Sequence, residues 1–257
     1  MMEAFYLAGM CLGLFVAMLA LTVSGHRFGW KRRVAGAEVL QGSATITAAI
    51  FGLLSLLIAF TFSGAYARFE HRRELMTEEI NDIGTAYLRV DLLPAAAQPP
   101  IRDLFRQYTA SRTAVYRKLI DPPTARVEMA NSVRLQNEIW SRSVAASSTP
   151  EGYGAKILLL PALNVMIDIT TTIEVALYSH PHPIIYGAMV LLALVCSWLV
   201  GYEMSEREKP SRMYVLGFAA VTAIVMYVTL DVEFPRIGIV RLDWVNEMLM
   251  KTGESMK

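Results

Sequence analysis

Four stretches of this chain carry no charged side chain: residues 4–24, 39–67, 175–202 and 213–230. A helix needs about 20 mostly apolar residues to cross a hydrocarbon core of roughly 30 Å. All four stretches meet that length, the last near its lower limit. The fold class this predicts is an all-α integral membrane protein. It has four transmembrane helices and a large helical extramembrane insertion between the second and third. The expected organisation is transmembrane helices 1 and 2 in residues 1–66 and a helical bundle in 67–180. Transmembrane helices 3 and 4 follow in 181–231, and a tail with a short amphipathic helix in 232–257.

Only 18% of the 257 residues are charged, against about a quarter in a soluble domain. The deficit is local, because residues 68–174 are densely charged. A formal net charge of +1 argues against nucleic acid as a partner. Cys11 and Cys196, the two cysteines, both fall inside apolar runs. There they read as small buried groups, not as a disulfide or a metal site. The first apolar run lacks a positive segment before it and is followed by Arg27, Lys31, Arg32 and Arg33. That is the pattern of an anchor, not of a cleaved leader.

The first helix is expected to end near Ser24-Gly25-His26, with a basic loop to about Gln41. The second apolar run passes into Arg68-Phe69-Glu70-His71-Arg72-Arg73 without a breaker. One continuous helix to about Leu92 follows from that. Its outer part repeats Phe69, Leu75 or Met76, Ile80, Ile83 and Tyr87 at helical spacing. Pro94, Pro99-Pro100 and Pro122-Pro123 punctuate the next stretch. Helices are expected at about 100–119, 124–146 and 153–178. Their apolar stripes are Ile101, Leu104, Phe105, Tyr108 and Val115; then Val127, Val133, Leu135, Ile139 and Trp140; then Ile157, Leu160, Leu163, Ile167 and Ile169. Four amphipathic helices on short loops predict a bundle outside the membrane. Two charged hairpin loops join the membrane helices in pairs. They carry Arg27, Lys31, Arg32 and Arg33 in one and Arg207, Lys209 and Arg212 in the other. The opposite side carries Arg68, Arg72, Arg73, Arg236 and Arg241. The positive-inside rule places the hairpins in the cytoplasm and the bundle outside.

No nucleophile elbow, zinc-protease helix, phosphate loop or dinucleotide fingerprint is present, so no enzyme is expected. His180-Pro-His182 is spaced i, i+2 across prolines, which is not helical ligand spacing. It reads as the entry to the third membrane helix, and neither a metal nor another cofactor is expected. The second membrane helix is different, being rich in small and hydroxyl residues. Such residues sit at helix contacts or line a wet path, because a hydroxyl facing hydrocarbon lacks partners. Thr47, Phe51, Ser55, Ile58 and Phe62 are the pore-lining candidates. In a ring of subunits that face forms an apolar constriction able to gate by dewetting. Packing against the first and fourth helices is the competing reading. Asp231 and Glu233 end the fourth helix, where carboxylates oppose the helix dipole and call for cationic partners. Arg68, Arg72, Arg73 and Arg236 are the candidates, either as an ion-pair network or as an ion-attracting ring.

The stretch Leu57-Ile-Ala-Phe-Thr-Phe-Ser-Gly-Ala-Tyr-Ala-Arg-Phe-Glu-His-Arg-Arg73, with Glu78-Glu-Ile-Asn-Asp-Ile-Gly-Thr-Ala-Tyr-Leu-Arg89, resembles the bestrophin-like domain family of bacterial membrane proteins. Leu163-Asn164, His180-Pro-His-Pro183, Gly201-Tyr202 and Asp231-Val-Glu-Phe-Pro-Arg-Ile-Gly238 extend the resemblance. Glu174 stands where many members carry arginine. The resemblance implies a distant similarity to bestrophins, pentameric anion channels whose second helix lines a neck with apolar rings. An oligomeric ion channel of the bacterial inner membrane is the functional expectation, with lipid and small ions as partners and a homo-oligomer as its form. A membrane-anchored sensor or scaffold is the alternative. Only Asp231 and Glu233 match the calcium-binding region of eukaryotic bestrophins, so calcium gating is not expected. Bestrophins keep their helical region in the cytoplasm, opposite to the charge count, and the count sets the expectation here.

Overall fold

The computed structural model describes residues 2–36, 43–118, 122–206, 212–235, 239–240 and 243–256. Eight α-helices cover almost all of them: α1 (Met2–Val34), α2 (Ser43–Arg89), α3 (Gln98–Lys118), α4 (Pro122–Ser147), α5 (Tyr153–Tyr178), α6 (Pro183–Glu203), α7 (Arg212–Glu233) and α8 (Asp243–Ser255). No strand occurs among the described residues. Four helical segments are long and apolar enough to cross a membrane. The fold is that of an all-α membrane protein.

Local chemistry explains where the helices stop. α2 ends in a 3-10 turn at Val90–Leu92, and Leu93 then adopts an extended backbone (φ −82°, ψ 158°) because Pro94 follows it. α6 begins at Pro183, which has no N–H to lose at the first turn, and His182 caps it by accepting from the Ile184 N–H at 3.3 Å. α1 corrects the expectation of a helix ending near Ser24. It runs to Val34 and stops at Gly36, whose φ of 76° is the left-handed conformation of a C-terminal cap. Gly25 lies inside the helix for a different reason. A Cβ there would collide with the Trp198 carbonyl of α6, one on Gly29 with the Ser205 side chain, and one on Gly201 with the Thr22 carbonyl of α1. Glycines four apart let two membrane helices approach backbone to backbone.

The chain divides into two compact units. The first comprises Met1–Phe69 and His180–Val240. Its core is Leu14, Met18, Leu54, Met189, Ala193, Cys196, Ala219 and Met226. Its outer surface is also apolar, with Leu12, Val16, Leu53, Phe60, Leu191, Val221 and Ile224 exposed. Helices apolar on all sides are at home in lipid, where an exposed leucine costs nothing.

The second unit comprises Glu70–Ser179 and Arg241–Lys257. Its core joins Met76, Ile80, Ile83 and Tyr87 of α2 to Ile101, Phe105 and Tyr108 of α3. Leu135 and Ile139 of α4, Leu159, Leu163 and Met166 of α5, and Val245 and Leu249 of α8 complete it. The stripe expected on α3 is buried, as is that on α2 from Leu75 to Tyr87, while Phe69 is half-buried. On α4 and α5 the stripes are buried at Leu135, Ile139, Leu163 and Ile169, but Val127, Val133 and Ile157 face outward. Pro161 sits inside α5 and removes one backbone donor. Beside that gap, the Leu158 carbonyl accepts from Arg89 at 2.7 Å.

Candidate functional site

Successive residues of a helix are turned by about 100°, so the uncovered side of α2 can be located from burial. Thr47, Leu54, Thr61 and Ala65 are buried and mark the side facing the unit's core. Inside it the Thr61 hydroxyl donates to the Leu57 carbonyl at 2.7 Å. The five candidates from sequence straddle the edge of that side. Phe51 tilts against Phe218 of α7 with centroids 5.4 Å apart, and Ile58 packs on the same core. Ser55 and Phe62 are exposed. They continue into an uncovered face of Gly52, Ala59, Ser63 and Tyr66, which is small, hydroxylated and aromatic instead of aliphatic.

At the end of α7, Glu233 is fully buried. Arg68 of α2 donates to both of its oxygens, from Nε to Oε2 at 3.0 Å and from Nη2 to Oε2 at 2.6 Å, with Oε1 3.2 Å from Nε. His180 Nδ1 lies 2.8 Å from Oε1, and its ring tilts against Phe234 at 4.6 Å. A fork-shaped guanidinium matches a carboxylate well, and such charge-assisted bonds are among the stronger ones. The cluster therefore ties α2, α7 and the segment before α6 together. Asp231 is buried too, but its partners are backbone donors: Ile239 N–H at 2.8 Å and Val240 N–H at 3.1 Å. Arg236 lies outside the described residues.

The other two arginine candidates belong to the second unit. Arg72 is buried and donates to the Ala176 and Ser179 carbonyls at 3.0 and 3.1 Å. It caps the C-terminus of α5, where carbonyls lack intrahelical partners and a cation suits the dipole. Arg73 is exposed, bonded to Glu70 at 2.9 Å and lying over the Trp244 ring. Among the described residues no group of three His, Cys, Asp or Glu side chains is placed to hold a metal ion.

One polar cluster has no counterpart in the sequence reading. Glu79 of α2 and Arg112 of α3 form a buried ion pair, and the Tyr116 hydroxyl donates to the same carboxylate. Burial pushes the Tyr116 hydroxyl far up, and the Glu79 charge adds to it, so the phenol stays protonated. Burial alone would lower the Arg112 pKa, but the Glu79 charge, Tyr116, Tyr108 and the hydrogen bond to Glu79 together more than offset it, and the net shift is upward. Arg112 and Tyr116 line a cleft with Ser132, Gln136, Thr170 and the exposed Glu174. In sequence Glu79 looks like half of a solvated Glu78-Glu79 pair. Its place on the Met76–Ile80–Ile83 stripe was the signal that could have found it.

Against known proteins, the bestrophin-like domain matches residues 11–243. No curated protein matches the chain. In fold the chain is similar to the crystal structure of a point mutant of a bacterial bestrophin homologue from Klebsiella pneumoniae. The TM-score is 0.69 at 14% identity, covering 96% of this chain and 98% of the other. With a match across most of its length and four membrane-crossing helices, the chain belongs to the bestrophin-like domain family.

Proposed function

We propose that this chain is the protomer of an oligomeric ion channel in the bacterial inner membrane, with α2 lining an apolar constriction. The family match over residues 11–243 carries the reading. The fold it shares with a bestrophin homologue supports it. So does α2, whose uncovered face offers Ser55 and Phe62 among small residues while Thr47 turns inward. One protomer has too small an interior for a water-filled path, so several copies surround it, each presenting α2. Ser55 and Phe62 are the foremost lining residues, and Phe51 and Ile58 flank them. Asp231 and the Arg68–Glu233 pair, at the end of α7, set the charge at one mouth of the path. Residues 67–180 form the extramembrane bundle, placed outside the cell by the charge of the hairpin loops. No catalytic step is assigned to any residue.

Planar-bilayer recording of the purified protein, with its mass in detergent measured by light scattering, tests this. The expected result is an assembly larger than a dimer and a current that rises several-fold on Phe62→Ala, because a dewetting barrier falls when an apolar ring shrinks. Phe51→Ala is expected to change the current less, since Phe51 packs on Phe218. A monomer or dimer, or a current indifferent to both changes, would favour a membrane-anchored sensor. The cleft at Arg112, Tyr116, Gln136 and Thr170 would then be where a ligand binds.

A further inference from the structure

The last turns of α1 carry Arg27, Lys31 and Arg32, all exposed. None of the three bonds a described acidic residue. Arg33, the next cation, is engaged otherwise: its Nε donates to the Ser205 hydroxyl at 3.1 Å, and it pairs with Glu206 at 3.6 Å. Beside these cations is an aromatic cluster. Phe28 of α1 lies 5.7 Å from Trp198 and 6.4 Å from Tyr202 of α6, and those two rings stack at 5.6 Å with 9° between their planes. Phe28 is 49% exposed, so the cluster has an open apolar side.

The order of these groups along the helix matters. Phe28 stands one turn past the uncharged run 4–24, and Lys31 and Arg32 stand three and four residues beyond it, hence over it on the helix surface. One turn is about 5.4 Å, the step from the glycerol level of a lipid to its phosphate. The platform is rigid, because Gly25 and Gly29 press α1 onto α6 and its following turn up to this level. Aromatic rings favour the glycerol and headgroup boundary, and cations beyond them meet phosphate.

We propose that Phe28, Trp198 and Tyr202, with Lys31, Arg32 and Arg27, seat the headgroup of an anionic phospholipid. The upper acyl chain lies on the rings, and the phosphate lies between Lys31 and Arg32. A zwitterionic choline headgroup carries its own ammonium into a site that Arg27, Lys31 and Arg32 make net cationic, where the nearby Glu206 is already paired with Arg33. The site prefers lipids with net negative charge.

Native mass spectrometry of the full-length protein in neutral detergent tests this, titrating phosphatidylglycerol, phosphatidylcholine and inorganic phosphate in parallel. The expected result is binding of phosphatidylglycerol at least tenfold tighter than of phosphatidylcholine, with no competition from millimolar phosphate. A surface cation is worth about 1 kcal/mol toward anionic lipid, so Lys31→Gln alone weakens binding about fivefold. Lys31→Gln with Arg32→Gln weakens it about thirtyfold, removing the preference. Phe28→Ala leaves the charge unchanged and is expected to weaken binding several-fold. Arg212→Gln, at the start of α7, is expected to leave it unchanged. Equal binding of the two lipids, or a preference that survives the double change, overturns the proposal. So does an Arg212→Gln effect as large as that of Lys31→Gln, an unaltered Phe28→Ala protein, or displacement of the lipid by phosphate.

Discussion

At the residue scale, the second unit is most exposed to change at Glu79. Its carboxylate is fully buried and receives both Arg112 and Tyr116. Breaking a buried pair by removing one partner leaves a charge in a medium that cannot solvate it. Replacing both partners with apolar residues removes the burden altogether. Glu79→Gln is therefore expected to destabilise the protein by about 3–5 kcal/mol, read from denaturant unfolding in detergent by circular dichroism. Glu79→Met combined with Arg112→Leu is expected to recover most of that loss. If the double variant is as unstable as the single one, the pair is not the cause. Asp82, one turn along α2, behaves oppositely. Burial pushes its carboxyl up, the charges of Glu78 and Glu79 add to that, and its Oδ2 has no hydrogen-bond partner among the described residues. A raised pKa means that the folded protein holds the proton more tightly than the unfolded chain. The penalty of ionising Asp82 is thus absent in acid and develops as pH rises from the ordinary carboxylate range through the raised value. Asp82→Asn is expected to stabilise the protein modestly at pH 7, since solvent screens part of the repulsion, and the gain is expected to vanish near pH 3. A gain independent of pH would show that charge is not involved.

At the element scale, the continuity of α2 was legible because no proline falls in its 47 residues and its membrane run passes into the charged stretch without a turn signal. The end of α1 was not. Gly25 reads as a stop only when its neighbours are unknown; in the structure it marks the place where α6 comes close. The same contact makes a sharp comparison possible. A Cβ on Gly201 would strike the Thr22 backbone carbonyl, which cannot rotate away, whereas one on Gly13 meets nothing within 4 Å. Gly201→Leu is expected to cost more than the ~1–3 kcal/mol of ordinary overpacking and to abolish a monodisperse peak on gel filtration. Gly13→Ala is expected to be neutral or to stabilise by about 0.5–1 kcal/mol, through the entropy of the unfolded chain. Equal behaviour of the two variants would remove the close approach as an explanation. The phase of α4 and α5 was hard to read for a related reason. Both helices carry valine and isoleucine on more than one side, and Val127, Val133 and Ile157 are in fact uncovered.

At the scale of the whole molecule, the first unit exposes aliphatic side chains around its helices. Removal of detergent is expected to precipitate the protein. Transfer into nanodiscs is expected to preserve the multimeric mass that the channel reading requires, with light scattering as the measurement. A protein that stays monodisperse in plain buffer would contradict the membrane assignment. The stripe chosen from sequence on α2 was partly legible at this scale. Its hydroxyl and aromatic content set it apart from the other membrane helices, but periodicity alone does not say which flank the protomer covers with its own Phe218.

The sequence by itself determined that four segments cross lipid, that α2 continues beyond the membrane run, and to which family the chain is similar. Each of these is a sum over neighbouring residues: transfer of about 20 side chains, the absence of a breaker, or a run of matched positions. The tertiary structure alone decided which carboxylate meets which arginine. Arg68 and Glu233 are 165 residues apart and Arg112 and Glu79 are 33 apart, and no local pattern records such a meeting. It also decided that Gly25 joins helices instead of ending one, because whether a missing side chain is a turn or a contact depends on what lies opposite.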